Sequence, residues 1–180
     1  MSDVKPLVLD ADGTFLKTDI LFETFWAGLG RDPLGTVSAA IRHFRNPARL
    51  KSELARIAPI RTDLLPVNPP IAELALHSRM AGREVALASA SDESLVRQLA
   101  TDYGFADQVF ASDGVNNLKG AAKAEALVAA YGEGGFDYAG NEAADMAIWD
   151  RADNALVVGH PASARALADE VVVSIFVNPT

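Results

Sequence analysis

Val4-Lys5-Pro6-Leu7-Val8-Leu9-Asp10-Ala11-Asp12-Gly13-Thr14 is the stretch on which the fold turns. Three consecutive aliphatic residues, Leu7-Val8-Leu9, predict a buried strand, and Gly13 permits a sharp turn directly after it. Two carboxylates two residues apart at the end of a buried strand repel each other and lose hydration, so a cation is needed to offset both. Carboxylate oxygens suit a hard ion such as Mg²⁺. One carboxylate is also placed as a nucleophile and the other as its acid/base partner. On this segment alone, a polar turn after a strand explains Asp-Ala-Asp-Gly equally well.

Beyond this stretch, apolar strand-like runs alternate with helical patterns, which predicts an α/β fold with a parallel sheet covered by helices. The expected strands are Leu7 to Asp10, Glu84 to Ser89, Gln108 to Ala111, Phe136 to Gly140, Ala155 to Val158 and Val171 to Val177. The expected helices are Asp92 to Tyr103, Gly120 to Tyr131, Ala143 to Trp149 and Ala162 to Ala168. The region from Thr18 to about Asn68 breaks the rhythm, because it is far longer than a strand-to-helix loop. Apolar spacing through Ile20, Leu21, Phe25 and Leu29, then Val37, Ile41 and Phe44, then Leu50, Leu54 and Ile57 is helical. Pro33, Pro47 and the prolines from Pro66 to Pro70 separate and close these pieces. The expected division is a core of residues 1–17 and 69–180 with a helical insert over 18–68.

The chain has 180 residues and a formal net charge of −8, which argues against nucleic acid or an anionic membrane surface as the main partner. It has no cysteine, which removes thiol nucleophiles and thiolate metal sites. No basic segment followed by an apolar run opens the sequence, and no apolar run approaches the length of a membrane span. A cytoplasmic location is the expectation. Oligomeric state is open.

Ligands of an open parallel sheet bind at the carboxyl ends of its strands. Asp10 and Asp12 follow the first expected strand, and Ser89, Ala90 and Ser91 follow the second. Lys119 and Lys123 stand near the start of the helix after the third, while Asn141 and Asp145 follow the fourth. Carboxylates, hydroxyls, lysines and a carboxamide on one rim suit a phosphate monoester held against Mg²⁺.

In this order the motifs resemble those of the haloacid dehalogenase superfamily, over roughly Lys5 to Pro161. The stretches Thr18-Asp19-Ile20-Leu21-Phe22-Glu23, Ala88-Ser89-Ala90-Ser91-Asp92, Ser112-Asp113-Gly114, Asn117-Leu118-Lys119-Gly120-Ala121-Ala122-Lys123 and Tyr138-Ala139-Gly140-Asn141 are similar to members fused to UbiA-like prenyltransferases. The resemblance implies a three-layer Rossmann-like core with a small all-helical C1 cap after the first strand. It implies Asp10 as the nucleophile that forms an aspartyl-phosphate and Asp12 as the acid/base. Ser89, with Ala90 beside it, would hold a phosphoryl oxygen. Mg²⁺ would be bound by Asp10, Asp12 through its backbone carbonyl, and Asn141, with Asp145 holding its waters. Lys123 is preferred over Lys119 as the charge-cancelling lysine. Asn141 departs from the usual Asp of the family, which lowers the expected metal affinity. The implied activity is Mg²⁺-dependent hydrolysis of a small phosphorylated metabolite, with a functional link to a prenyltransferase. Transfer to a sugar or alcohol, and a non-catalytic binding protein with a weakened metal site, are the alternatives.

Other motifs fail on spacing. A calcium loop starting at Asp10 needs Gly and Glu where Phe15 and Leu21 stand. Ser89-Ala90-Ser91 lacks the flanking glycines of a nucleophile elbow. His43, His77 and His160 are too dispersed to suggest a metal site. The aromatic residues Phe22, Phe25 and Trp26 are expected in the packing of the insert more than in substrate contact. Asp19 is expected as the cap of its first helix, with contact to a substrate amine as the alternative that the family resemblance implies.

Overall fold

The computed structural model describes residues 4–159 and the backbone strand over 173–177. Six strands, β1 (Leu7–Asp10), β2 (Val85–Asp92), β3 (Gln108–Ser112), β4 (Asp137–Gly140), β5 (Asn154–Gly159) and β6 (Val173–Val177), form one sheet. Every neighbouring pair is parallel, in the order β3-β2-β1-β4-β5-β6. Strand order therefore reverses between β1 and β4, the place where such sheets open a ligand crevice at their carboxyl ends.

Among the described residues, seven α-helices accompany the sheet: α1 (Ile20–Arg31), α2 (Pro33–His43), α3 (Pro47–Ile57), α4 (Pro69–Met80), α5 (Glu93–Tyr103), α6 (Ala121–Tyr131) and α7 (Met146–Trp149). All four residues of β1 are buried, as a sheet covered on both faces requires. Successive strand side chains point to opposite faces, so Leu7 and Leu9 join one apolar cluster and Val8 the other. The first cluster takes Ile71 and Ala75 from α4, and Leu95, Val96 and Leu99 from α5. The second takes Ala124 and Leu127 from α6, and Ile148 and Trp149 from α7. The chain is thus the expected three-layer α/β fold.

Helices α1–α3 lie in the sequence between β1 and α4. Each opens on a side-chain cap: Asp19 accepts from the Phe22 amide at 2.9 Å, Asp32 from Gly35 at 2.9 Å and Asn46 from Arg49 at 3.1 Å. Pro33 and Pro47 start α2 and α3, where their missing N–H has no helical acceptor to lose. The two ends of the insert are bound to each other. Leu16 bridges Val67, Lys17 N–H donates to Pro66 O at 2.7 Å, and Asn68 N–H donates to Phe15 O at 2.7 Å.

Three expectations need correction. Strand β2 continues to Asp92, with a shift in register between Ala88 and Asp92, where a strand ending at Ser89 was expected. Helix α4 was not among the expected helices, because Pro69 and Pro70 read as punctuation. Here they occupy the first turn, where proline is tolerated. The pattern over Ala143–Trp149 divides into a 3₁₀ turn at Ala143–Asp145 followed by α7. The helix expected at Ala162 to Ala168, and Val171 and Val172 of the last expected strand, lie outside the described residues.

Candidate active site

At the carboxyl end of β1, Gly13 takes φ +77°, a left-handed conformation that glycine adopts without steric cost. The turn brings Leu16 N–H back to Ala11 O at 2.8 Å and leaves Asp10 and Asp12 at one cavity of about 130 Å³. Asp145, Lys51, Lys119, Lys123, Ala90 and Ser91 line the same cavity.

Asp10 is 6% exposed, and its Oδ1 accepts from the Lys123 ammonium at 2.6 Å. Its Oδ2 accepts no hydrogen bond among the described residues. Burial pushes the Asp10 carboxyl up to about 7, against the pull of Lys123 and with help from the charges of Asp145 and Asp12. For Lys123, burial disfavours the ammonium. The adjacent Asp10 and Asp145 outweigh it and hold the group above the ordinary lysine value. Lys123 also donates to Tyr138 Oη at 3.0 Å, and Tyr138 donates onward to Asp145 Oδ1 at 2.9 Å. Asp145 Oδ2 accepts from the amides of Asn141 and Glu142 at 3.0 Å each. A continuous chain of hydrogen bonds therefore runs from the end of β1 through α6 and β4 to the loop after β4.

Asp12 is held differently. Its Oδ1 accepts from Ile20 N–H at 2.7 Å, at the start of α1, and its Oδ2 accepts from the hydroxyls of Ser89 at 2.8 Å and Ser91 at 2.9 Å. Burial still raises its pKa, with Asp19 adding to it, against these three donors. Both serines lie where the register of β2 shifts against β3, between Ala88 and Asp92, and both hydroxyls meet the same oxygen.

The structure brings together Asp10, Asp12, Ser91, Ala90, Lys119, Lys123 and Asp145 around one cavity. Ser89 is fully buried and turned to Asp12, so its hydroxyl is committed to a carboxylate where a phosphoryl contact was expected. The Ala90 carbonyl accepts from Lys51 at 2.6 Å and Ser112 at 2.7 Å. Lys119 stands at the rim, paired with Glu142 at 2.9 Å, which raises its pKa. Asn141 accepts from Thr14 Oγ1 at 3.2 Å and lies over Gly13, where a Cβ would come within 2.2 Å of its Nδ2.

Sequence reasoning did not anticipate Lys51, Ser91 as an Asp12 partner, or Tyr138. Lys51 lies on α3, and its ammonium crosses to Ala90 O and, at 3.3 Å, to Asn117 Oδ1. Burial lowers its pKa, although Asp12 and Asp19 pull the other way. Ser91 stands two residues from Ser89, and period-two spacing could have linked them. Nothing in the sequence distinguishes the Tyr138 hydroxyl from the apolar run around it.

Among the described residues, no group of three or more His, Asp or Glu side chains is spaced to hold a metal ion. Both oxygens of Asp145 are already engaged by Tyr138 and by two backbone amides, so it does not offer a free direct ligand. The Asp10 carboxylate, the Asp12 carbonyl and Asn141 Oδ1, which accepts one hydrogen bond from Thr14, are the hard oxygen donors of this region. This set fits Mg²⁺, which binds through one or two carboxylates and retains several waters.

No protein-family model matches the chain. An uncharacterized protein, y4nM, of Sinorhizobium fredii (strain NBRC 101917 / NGR234) is 34% identical over 154 residues, or 86% of this chain. The chain spans 30% of the length of that relative. Among solved structures, a HAD family hydrolase from Salmonella enterica serovar Typhi aligns with TM-score 0.66 at 15% identity, over 95% of this chain and 66% of its own. A phosphoserine phosphatase solved as a phospho-aspartyl intermediate analogue aligns with TM-score 0.64 at 15% identity, over 97% of this chain and 94% of its own. The cobalt-bound deoxy-D-mannose-octulosonate 8-phosphate phosphatase of Haemophilus influenzae aligns with TM-score 0.58 at 12% identity, over 97% of this chain and 78% of its own. The chain has the Rossmann-like α/β fold of the HAD-superfamily hydrolases. Among the described residues, no helix is long and apolar enough to cross a membrane.

Proposed function

We propose that this chain is a Mg²⁺-dependent phosphatase acting on a small phosphate monoester. One observation carries the reading: Asp10, at the point where strand order reverses, has one oxygen held by Lys123 at 2.6 Å and the other free beside the cavity. The fold shared with phosphatases supports it.

In this reading the free oxygen of Asp10 attacks phosphorus. The P–O bond to the leaving alcohol breaks as Asp12 gives that oxygen a proton. Water then attacks phosphorus and gives its proton to Asp12 as the bond from Asp10 to phosphorus breaks, which releases phosphate and restores the Asp10 carboxylate and the protonated Asp12. Lys123 balances the charge that grows on the phosphoryl oxygens, and Lys51 and Lys119 add positive charge at the mouth. Ser89 and Ser91 hold the Asp12 carboxylate in one orientation through both steps. Asp10, the Asp12 carbonyl and Asn141 would hold the metal, and Asp145 fixes the loop that carries Asn141 by accepting from its amide. Bound there, Mg²⁺ supplies charge stabilisation and a template for the phosphate oxygens. The insert over 18–68 is the cap of the enzyme, and residues 1–17 and 69–180 its core. A functional link to a prenyltransferase rests on motif resemblance alone.

A panel of phosphorylated metabolites assayed with Mg²⁺ tests this reading. Turnover is expected with at least one ester, and Asp10→Asn is expected to abolish it. Turnover that survives Asp10→Asn refutes the mechanism.

A further inference from the structure

The polar cavity continues into an apolar one. Asp19 and Leu21, at the start of α1, line the polar cavity and also a second cavity of about 310 Å³ between the insert helices. The rest of the second lining is Phe22, Phe25, Ala40, Leu50 and Leu54. A cavity of that size is within the range of small-ligand sites, whose walls are mostly hydrocarbon with a few polar groups that fix orientation. Here the polar groups all lie at the end joined to Asp10 and Asp12.

The packing of the insert explains why the space exists. Its interior is built largely from small residues, among them Thr24, Gly28, Thr36, Ala39 and Ala48. At the contact of α1 with α2, a Cβ on Gly28 would fall 2.6 Å from Thr36 Oγ1, so no larger residue fits between them. The large apolar groups Phe22, Phe25 and Leu50 surround the cleft and are not withdrawn into that interior. Phe22 is 57% exposed, and its ring meets that of the exposed Trp26 at 5.9 Å. Apolar surface left uncovered beside a polar pocket is characteristic of a binding groove.

We propose that this cleft receives the apolar body of a phosphate monoester whose phosphate occupies the polar cavity, so the substrate is an alkyl or aryl phosphate. The proposal rests on the phosphatase reading for the position of the phosphate. Beyond Asp19 at its mouth, the cleft is lined by hydrocarbon alone, so a sugar or amino-acid body would turn most of its polar groups against walls that offer them no partner, and their desolvation would oppose binding.

The test uses a series of n-alkylphosphonates from ethyl to decyl, which bind but are not hydrolysed, measured by calorimetry with Mg²⁺. The matching alkyl phosphates, with phosphoserine and a sugar phosphate, are assayed for turnover. The dissociation constant is expected to fall about three- to fourfold per methylene until the cleft is full. Phe22→Ser, at an exposed position that does not govern folding, is expected to flatten that dependence. Constants that do not vary with chain length overturn the proposal, as does a dependence that Phe22→Ser leaves unchanged. Tightening with chain length but no turnover of any ester upholds the cleft and refutes the phosphatase reading. Turnover of polar phosphates with a flat series does the reverse.

Discussion

Replacing Tyr138 with phenylalanine removes one oxygen from the buried chain that joins Lys123 to Asp145. The ring is fully buried against Val8, Leu127 and Trp149, and phenylalanine keeps that packing. The lost oxygen accepts from the Lys123 ammonium at 3.0 Å and donates to Asp145 Oδ1 at 2.9 Å. Hydrogen bonds to charged groups contribute about 1.5–3 kcal/mol each. Lys123 Nζ already lies 3.9 Å from Asp145 Oδ1 and keeps its bond to Asp10, so a small movement restores part of what is lost. The expected net destabilisation of Tyr138→Phe is about 2 kcal/mol, one bond rather than two. For a domain of this size that lowers the midpoint of thermal unfolding by roughly 4–8 °C. Reversible thermal or urea unfolding measures it, and a double-mutant cycle with Asp145→Asn isolates the link. The two substitutions should be clearly non-additive, because each breaks the same contact. A midpoint within about 1 °C of the original protein, or strict additivity in the cycle, would refute the idea that this hydroxyl bridges lysine and carboxylate.

Two further substitutions probe the loop after β4. Gly140→Ala would set a Cβ 2.5 Å from Asp145 Oδ2 and 2.7 Å from Tyr138 Cε1, both buried. Overpacking of this kind costs about 1–3 kcal/mol, so unfolding shifts to lower urea and Mg²⁺ binding weakens as Asp145 is displaced; unchanged stability would show that the loop yields freely. Asn141→Asp adds a negative charge to the proposed metal donors and should tighten Mg²⁺ binding by about tenfold. The shift of the melting midpoint with Mg²⁺ concentration reads it, and an unaltered Mg²⁺ dependence would remove Asn141 from the metal set.

The alternation of strands and helices, the helical insert after β1 and the polar residues at the strand ends were all readable from residue order. Those features are local: an apolar period, a glycine at the turn, a carboxylate after a buried run. Aspartates at 10 and 12 became legible as a pair only beside the polar residues that follow the other strands, since a polar turn explains them equally well alone. The bulge in β2 was not legible, since strand propensity alone does not say where pairing slips. Helix α4 was obscured by prolines that favour a first turn as readily as a loop.

Which groups meet depends on the packing of the layers. Lys119 and Lys123 stand on the same stretch of sequence, yet Lys123 is buried against Asp10 and Lys119 pairs with Glu142 at the rim. Lys123 and Asp10 are 113 residues apart, and their contact depends on the placement of β1 relative to α6. Lys51 reaches Ala90, within β2, because α3 turns that face toward the sheet. Ser89 meets Asp12 because β1 and β2 are parallel neighbours in the sheet. Helix faces and strand register follow from how layers pack, and sequence periodicity fixes the layers without fixing their relative rotation.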